Sequence, residues 1–156
     1  MVKETDIGEH NVCVNRQARH NYFIEETYEA GLILLGSEVK SLRDGKANLT
    51  DSYARIQKGE AFLVNAHVSH YPGANQFNHE PTRTRKLLLH AREIERLTGK
   101  TKERGLTLVP LRLYFRSGRA KVELGLARGK KLYDKRETLR RKVAQREVER
   151  SLKARK

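Results

Sequence analysis

The sequence predicts a mainly β fold: an antiparallel barrel of about six short strands, with helices inserted between hairpins, followed by a basic C-terminal tail. Three observations predict it. Short apolar–polar alternations recur between residues 20 and 126, separated by turn residues. Two pairs of these alternations face each other across tight turns, at Gly59 and at Ser117-Gly118. The last stretch, GKKLYDKRETLRRKVAQREVERSLKARK, holds 12 Lys/Arg against 4 Asp/Glu and too few apolar side chains to bury itself.

The elements follow in chain order. Residues 1–10 read as a loose polar arm. HNYFIEETYEAGLILLG is rich in aromatic and β-branched residues and predicts one bent strand, or two, over 20–35. GSEVKSLRDGKAN predicts a short helix, with Ser37 as N-cap, Glu38 at the positive end of the dipole and Gly45 as the stop. Val39 and Leu42 would face the core, and Lys40, Arg43 and Lys46 would face solvent. DSYARIQKGEAFLVNAHVSHY predicts a hairpin turning at Gly59, with Phe62, Val64, Ala66 and Val68 on one face of the return strand. YPGANQFNHEP is a polar loop. TRTRKLLLHAREIERLTGKTKERG predicts a helix over roughly 84–104, striped by Leu87, Leu88, Ile94 and Leu97 and broken near Gly99. LTLVPLRLYFR and RAKVELGLA form the last hairpin. Pro110 marks a bulge or a sheet edge, Leu111, Leu113 and Phe115 share one face, and Val122, Leu124 and Leu126 share one face opposite. Short strands closing on themselves around a helix suggest a barrel of the OB type, with a helix-on-sheet α+β layer as the alternative. Residues 1–128 form this domain and 129–156 the tail.

The net charge of +14 over 156 residues points to a polyanionic partner. The apolar runs at 32–35 and 87–89 are too short to span a bilayer, so nucleic acid is favoured over membrane. The opening MVKETDIGEHN does not read as a signal peptide, and Cys13 is the sole cysteine; a reducing cytoplasm fits both.

No catalytic constellation emerges. Glu25, Glu26 and Glu29 lie close together, but in a strand Glu26 faces away from the other two. His67 and His70 point to opposite faces, so they do not converge on a metal. Gly99-Lys100-Thr101 resembles the end of a phosphate-binding loop, but that loop needs a glycine at position 94, which is Ile94. No catalytic residue, cofactor or metal site is assigned. What remains is basic residues beside aromatics: Arg16, Arg19, His20 and Tyr22; Lys40, Arg43 and Lys46; Arg83, Arg85 and Lys86; and Arg112, Tyr114 and Arg116 along one strand face. Lys and Arg neutralise phosphates, and Tyr, His and Arg stack on unpaired bases.

Three long blocks then carry a resemblance. NRQARHNYFIEETYEAGLILLGSEVKSLRDGKANLTDSYARI, PTRTRKLLLHAREI and ARGKKLYDKRETLRRK together resemble the SmpB (SsrA-binding, tmRNA-binding) protein family from about Asn15 to Lys142. The resemblance implies an OB-type barrel with a tail disordered when free. It implies a cytoplasmic, monomeric RNA-binding factor of trans-translation that is not an enzyme. Such a factor binds the tRNA-like domain of tmRNA and acts with elongation factor Tu and GTP on stalled ribosomes. The alternative is a general OB-type RNA-binding or ribosome-associated protein.

The resemblance further implies two sites. On the barrel, Asn15, Arg16, His20, Glu29, Lys40, Arg43, Lys46, Arg85, Lys86 and His90 fall in the signatures. The basic members would clamp phosphates, and Asn15 and Glu29 would fix geometry or read a sugar or base edge. In the tail, Gly129, Lys130, Lys131, Tyr133, Asp134, Lys135 and Arg136 would enter the decoding centre of the small ribosomal subunit. The rest would become helical in the empty mRNA channel. Residues 131–156 hold no Gly or Pro and pair Glu137 with Arg141 and Glu149 with Lys153 at helical spacing, so a helix is permitted. Some family members carry His where this chain has Tyr133; both rings stack, but Tyr cannot become cationic.

Overall fold

The computed structural model describes residues 9–154. In chain order it contains strand β1 (Glu9–Val14), helix α1 (Arg16–Asn21), β2 (Tyr22–Leu32), α2 (Gly36–Arg43), β3 (Ala47–Asn48), β4 (Tyr53–Gln57), β5 (Glu60–Val64) and β6 (His67–Val68). A 3₁₀ turn (Pro72–Phe77), β7 (Arg85–Leu88), α3 (Ala91–Arg104), β8 (Thr107–Arg116), β9 (Arg119–Gly129) and α4 (Leu132–Ala154) follow. The main sheet runs β1-β8-β4-β5-β7-β2-β9, and β8 also pairs with β9. Six strands therefore close a ring, with β1 added outside it on β8. Every pairing is antiparallel. The barrel prediction holds, and the α+β layer is set aside.

The long hairpin β8–β9 and its partner β2 form the rigid side of the ring. Its turn places Ser117 and Gly118 at φ 51° and 77°, the left-handed pair that a two-residue hairpin loop requires. Lys58 and Gly59 do the same for β4–β5, at 51° and 74°. The ring is narrowest where β4 meets β8, through Ala54 and Leu108 alone. There β8 changes neighbour, from β4 to β1, and its register against β9 shifts between Pro110 and Arg112. Pro110 marks this bulge as expected, because it has no N–H to give to a ladder. The bulge also splits the expected apolar face: Leu113 and Phe115 join the main core, while Leu111 packs with Ala18, Val109 and Ala127 under α1.

The barrel interior is filled by Leu63, Leu87, Leu108, Leu113, Val122, Leu124 and Leu126. Leu97 of α3 joins this core, fully buried. Glu26 in β2 clamps that helix through Lys100 Nζ at 2.6 Å and Arg96 Nη2 at 2.9 Å, and it accepts the Tyr28 hydroxyl at 2.5 Å. Lys100 first, then Tyr28, hold the Glu26 carboxyl down to about 2. Burial and the same carboxylate push the Tyr28 phenol up to about 12.

Several expectations need correction. Glu9 and His10 belong to β1 rather than to a loose arm, whose residues 1–8 lie outside the described residues. The basic cluster before β2 is the helix α1, which delays the strand to Tyr22. The helix expected over 84–104 is two elements. Its leucine run is the strand β7, and α3 begins only at Ala91, where His90 and Glu93 form its N-terminal cap. A run of adjacent leucines carries both periods, and β5 and β2 on either side decide for the strand. Gly99 does not break α3, which ends at Gly105 in the left-handed conformation. Ser37 is not the cap of α2. The helix starts one residue earlier, at Gly36, and the Leu35 amide donates to Glu38 Oε1 at 2.8 Å. In β5 it is Ala61 and Leu63 that face inward. Asn65, at φ 64°, then reverses the alternation, so Ala66 and Val68 are buried while Phe62 and Val64 face out.

The tail is a continuous 23-residue helix, Leu132–Ala154. Its residues permit this: the interior has no Gly or Pro, and the Lys131 amide is capped by Asp134 Oδ2 at 3.3 Å. Leu139, Val143, Val148 and Leu152 all remain about half exposed or more. Val148 lies nine residues beyond Leu139, about two and a half turns, so the pairs Leu139/Val143 and Val148/Leu152 occupy opposite sides of α4.

Candidate nucleic-acid interface

The expected site residues divide into those that build the fold and those that face solvent. Asn15 is a builder. Its side-chain Nδ2 donates to Pro110 O at 2.9 Å and Leu49 O at 3.4 Å, and its backbone N donates to Leu111 O at 2.7 Å. It thus ties the β8 bulge, at Pro110 and Leu111, to the segment at Leu49.

Arg85 is also a builder, and here the structure corrects the sequence expectation. Its side chain is 0 % exposed, so it cannot reach a phosphate. Nε donates to Glu38 Oε2 at 2.5 Å, Nη1 to Ala66 O at 2.8 Å and Nη2 to Pro81 O at 3.1 Å. Arg83 Nη2 adds a second bond to Glu38, at 2.6 Å. Burial alone would raise the Glu38 carboxyl, but Arg83, the Leu35 amide and Arg85 together hold it below the ordinary carboxylate value. The network ties α2 to β7 and to the loop that carries His79. His79 is itself buried between Ser37 Oγ, at 2.9 Å from Nδ1, and Val68 O, at 2.8 Å from Nε2.

The row Arg112, Tyr114, Arg116 is not an open stacking surface. Tyr114 is 2 % exposed and donates to Glu29 Oε2 at 2.5 Å. Arg112 lies 4.0 Å from the Tyr114 ring centroid and pairs with Glu9 and Glu123 at 2.5 and 2.7 Å. Arg116 pairs with Glu29 and Glu9 at 2.5 and 3.3 Å. Burial, then the Glu29 hydrogen bond, pushes the Tyr114 phenol far above its ordinary value. Three carboxylates therefore neutralise this row, and Glu29 holds it together.

Two sets of cations stand outside such networks. Lys40, Arg43 and Lys46 are exposed at the end of α2, and Lys40 Nζ lies 5.4 Å from the Tyr71 ring centroid. Arg16 and Arg19 are exposed on α1, with His20 half-buried beside them. Among the described residues none of these five Lys/Arg side chains takes part in a salt bridge.

A pair of adjoining grooves lies along β2, β7 and β9. One, of about 290 Å³, is lined by Glu29, Leu88, Leu89, His90, Glu93 and Lys121 among others. Its neighbour, of about 310 Å³, runs along Leu32, Leu34, Val39 and Phe115 to Arg119. Both share Gly31, Leu88 and Lys121. Leu88 is 53 % exposed on the ridge between them. Gly31 sits opposite it across the β2–β7 pair, and a Cβ there would meet Leu88 Cβ at 3.2 Å. An open apolar ridge flanked by Lys121, Arg119 and His90 offers a flat surface to a base and charge to its phosphate. Sequence reasoning found His90 and Glu29 but missed Leu88, Lys121 and Arg119. The signal was in KLLLH: read as a strand, it turns one leucine out.

At the tail root, Gly129 ends β9 and the Lys130 amide donates to Asn21 O at 2.8 Å. Lys130 Nζ donates to Arg19 O at 3.0 Å and Thr138 Oγ1 at 2.9 Å, 4.9 Å from the Phe23 ring centroid. Burial, then the like charge of Lys142, lowers this ammonium below its ordinary value. Lys130 pins α4 to α1, and Asp134 caps α4, so both are structural here. Lys131, Arg136 and Tyr133, which is 70 % exposed, face solvent, and Lys135 is half-buried.

Comparison with known proteins decides the family. The SmpB protein family model matches residues 12–154. The chain belongs to the SmpB family. It is 66 % identical to the SsrA-binding protein of Desulforudis audaxviator over 143 residues, covering 92 % of this chain and 94 % of that one. It is 62 % identical to the SsrA-binding protein of Geobacillus thermodenitrificans over 144 residues, covering 92 % and 93 %. A solved chain described under tmRNA-SmpB and the centre of the bacterial ribosome superposes with a TM-score of 0.67 at 53 % identity, covering 83 % of this chain and 94 % of that one. Among the described residues no three or more His, Cys, Asp or Glu converge as a metal site, and no helix is long and apolar enough to cross a membrane.

Proposed function

We propose that this protein binds tmRNA, the SsrA RNA, and acts with it on the bacterial ribosome in trans-translation. Family membership over residues 12–154 is the observation that carries this reading. The distribution of charge supports it. On the outer barrel face, Arg112 and Arg116 are consumed by carboxylates, whereas α1, the end of α2, the grooves beside Leu88 and the tail keep their cations open. In this assignment the barrel holds the tRNA-like domain, through Lys121, His90 and the Leu88 ridge, with Lys40, Arg43 and Lys46 on phosphates. The tail helix enters the decoding centre and the empty mRNA path, with Lys131, Tyr133 and Arg136 at its entry. The protein works as a monomer beside elongation factor Tu and GTP on the same RNA, in the cytoplasm, and carries out no catalysis of its own.

The test is binding of the full chain, and of a chain ending at Lys131, to the isolated tRNA-like domain at two salt concentrations, with elongator tRNA as competitor. Equal binding by both chains and preference over tRNA are expected, with tagging of stalled peptides lost in the shorter chain. Binding that vanishes with the tail, or that tRNA competes away, would leave only a polycation on RNA.

A further inference from the structure

We propose that the outer face of the β4–β5–β7 sheet is a base-stacking platform for unpaired nucleotides of tmRNA. This rests on the reading above that the Leu88 grooves hold tmRNA. The platform follows from register. Arg55 sits opposite Phe62, and Phe62 opposite Lys86, so the three form one row across three strands. Tyr53, opposite Val64, begins the next row on the same face. The alternate residues Ala54, Ala61, Leu63 and Leu87 are buried inside the barrel, which fixes this face as the outer one.

Its chemistry is that of a single-strand binder. Tyr53 is 40 % exposed, and Phe62 is half-buried between two basic neighbours. Arg55 is exposed and is in no salt bridge among the described residues, and Lys86 has only Glu60, at 3.3 Å between two side chains open to water. Such a pair is weak and yields readily to a phosphate. Aromatic rings flanked by Arg and Lys stack bases of any sequence while the cations follow the backbone. Barrels of this type present a sheet face to nucleic acid. The source is tmRNA because the platform is continuous with the grooves. Leu88 lies two residues beyond Lys86 on the same face of β7, about 7 Å along the strand. A strand leaving the Leu88 ridge thus runs directly onto Lys86 and Phe62.

The experiment uses the full chain and whole tmRNA. The double variant Tyr53→Ala/Arg55→Ala is expected to bind tmRNA about tenfold more weakly, a loss typical of one stacked base, and with a salt slope smaller by about one. Tyr53→Leu, which keeps the apolar volume without the π face, is expected to lose affinity too, with unchanged melting. Tuning tmRNA with 4-thiouridine and irradiating is expected to attach it at Tyr53 or Phe62. Unchanged affinity and slope with no crosslink at either ring would overturn the platform. Intact tmRNA affinity with lost tagging would assign the face to the ribosome and equally overturn it. Lys121→Ala separates the two readings. If it weakens binding while the platform variants do not, the function stands and the platform falls. If wild-type protein does not prefer tmRNA to elongator tRNA, the functional reading itself falls.

Discussion

Replacing Arg85 with Ala should unfold this protein far more readily without removing an RNA contact. The guanidinium is fully buried and makes three hydrogen bonds, to Glu38, Ala66 O and Pro81 O. Breaking a buried ion pair from one side costs about 3–5 kcal/mol, because the remaining charge stays buried. Each orphaned buried carbonyl adds about 1–3 kcal/mol where water cannot reach it. These contributions overlap, and Arg83 still covers one Glu38 oxygen, so a net of about 4 kcal/mol is expected. A domain of this kind holds about 5–15 kcal/mol in total. With a urea dependence of about 2 kcal/mol per molar, the midpoint should fall by about 2 M. Arg85→Lys should recover little, since one ammonium cannot span three acceptors fixed for a fork. The assay is urea unfolding followed by circular dichroism, beside tmRNA binding under conditions where the variant is folded. Binding should stay within about threefold of wild type, well under the tenfold that 1.4 kcal/mol represents. A wild-type midpoint with sharply weakened tmRNA binding would show that Arg85 reaches RNA and that the network is dispensable.

Other outcomes can be read with similar assays. Replacing Gly31 with Ala places a Cβ 3.2 Å from that of Leu88, an atom fixed by the β7 backbone, so the paired strands must part slightly; melting should fall modestly and tmRNA affinity severalfold. Lys40→Ala/Arg43→Ala should weaken tmRNA binding and lower its salt slope by about two, one per lost phosphate contact, as measured by filter binding over a salt series. The Glu26 carboxyl sits at about 2 in the folded protein, below its unfolded value. Its stabilisation is therefore complete above about pH 4.5 and is lost as pH falls towards 2. Glu26→Gln should flatten the acid side of the stability profile in that window, and an unchanged profile would dismiss the α3 clamp.

The long hairpins, the α2 helix and the Pro110 bulge were legible because each rests on local chemistry: alternation, turn residues and a missing N–H. The strand β7 was not, because its leucine run and the periodic residues after it merge into one helical pattern, and only β5 and β2 choose between them. Charge misled for a related reason. Glu38 and Arg85 lie 47 residues apart, and Arg112 and Glu9 lie 103 apart, so no window along the chain could pair them. A basic residue next to an aromatic looks identical in sequence whether carboxylates neutralise it, as at Tyr114, or leave it open, as at Arg55 beside Tyr53. Asn15 shows the same limit: its bonds to Pro110 and Leu49 form only once the barrel closes. The three-dimensional partners decide which members of the motif are neutralised by carboxylates and which stay free of them.

The arrangement of apolar side chains on α4 restricts the kind of surroundings that can satisfy it. A rod with one greasy seam can lie on a shelf. This one carries Leu139 and Val143 on one flank and, roughly 13 Å further along, Val148 and Leu152 on the other. Whichever flank rests on a flat support, the other stays wet. Both are dried only inside a bore whose walls close from opposite sides at two depths.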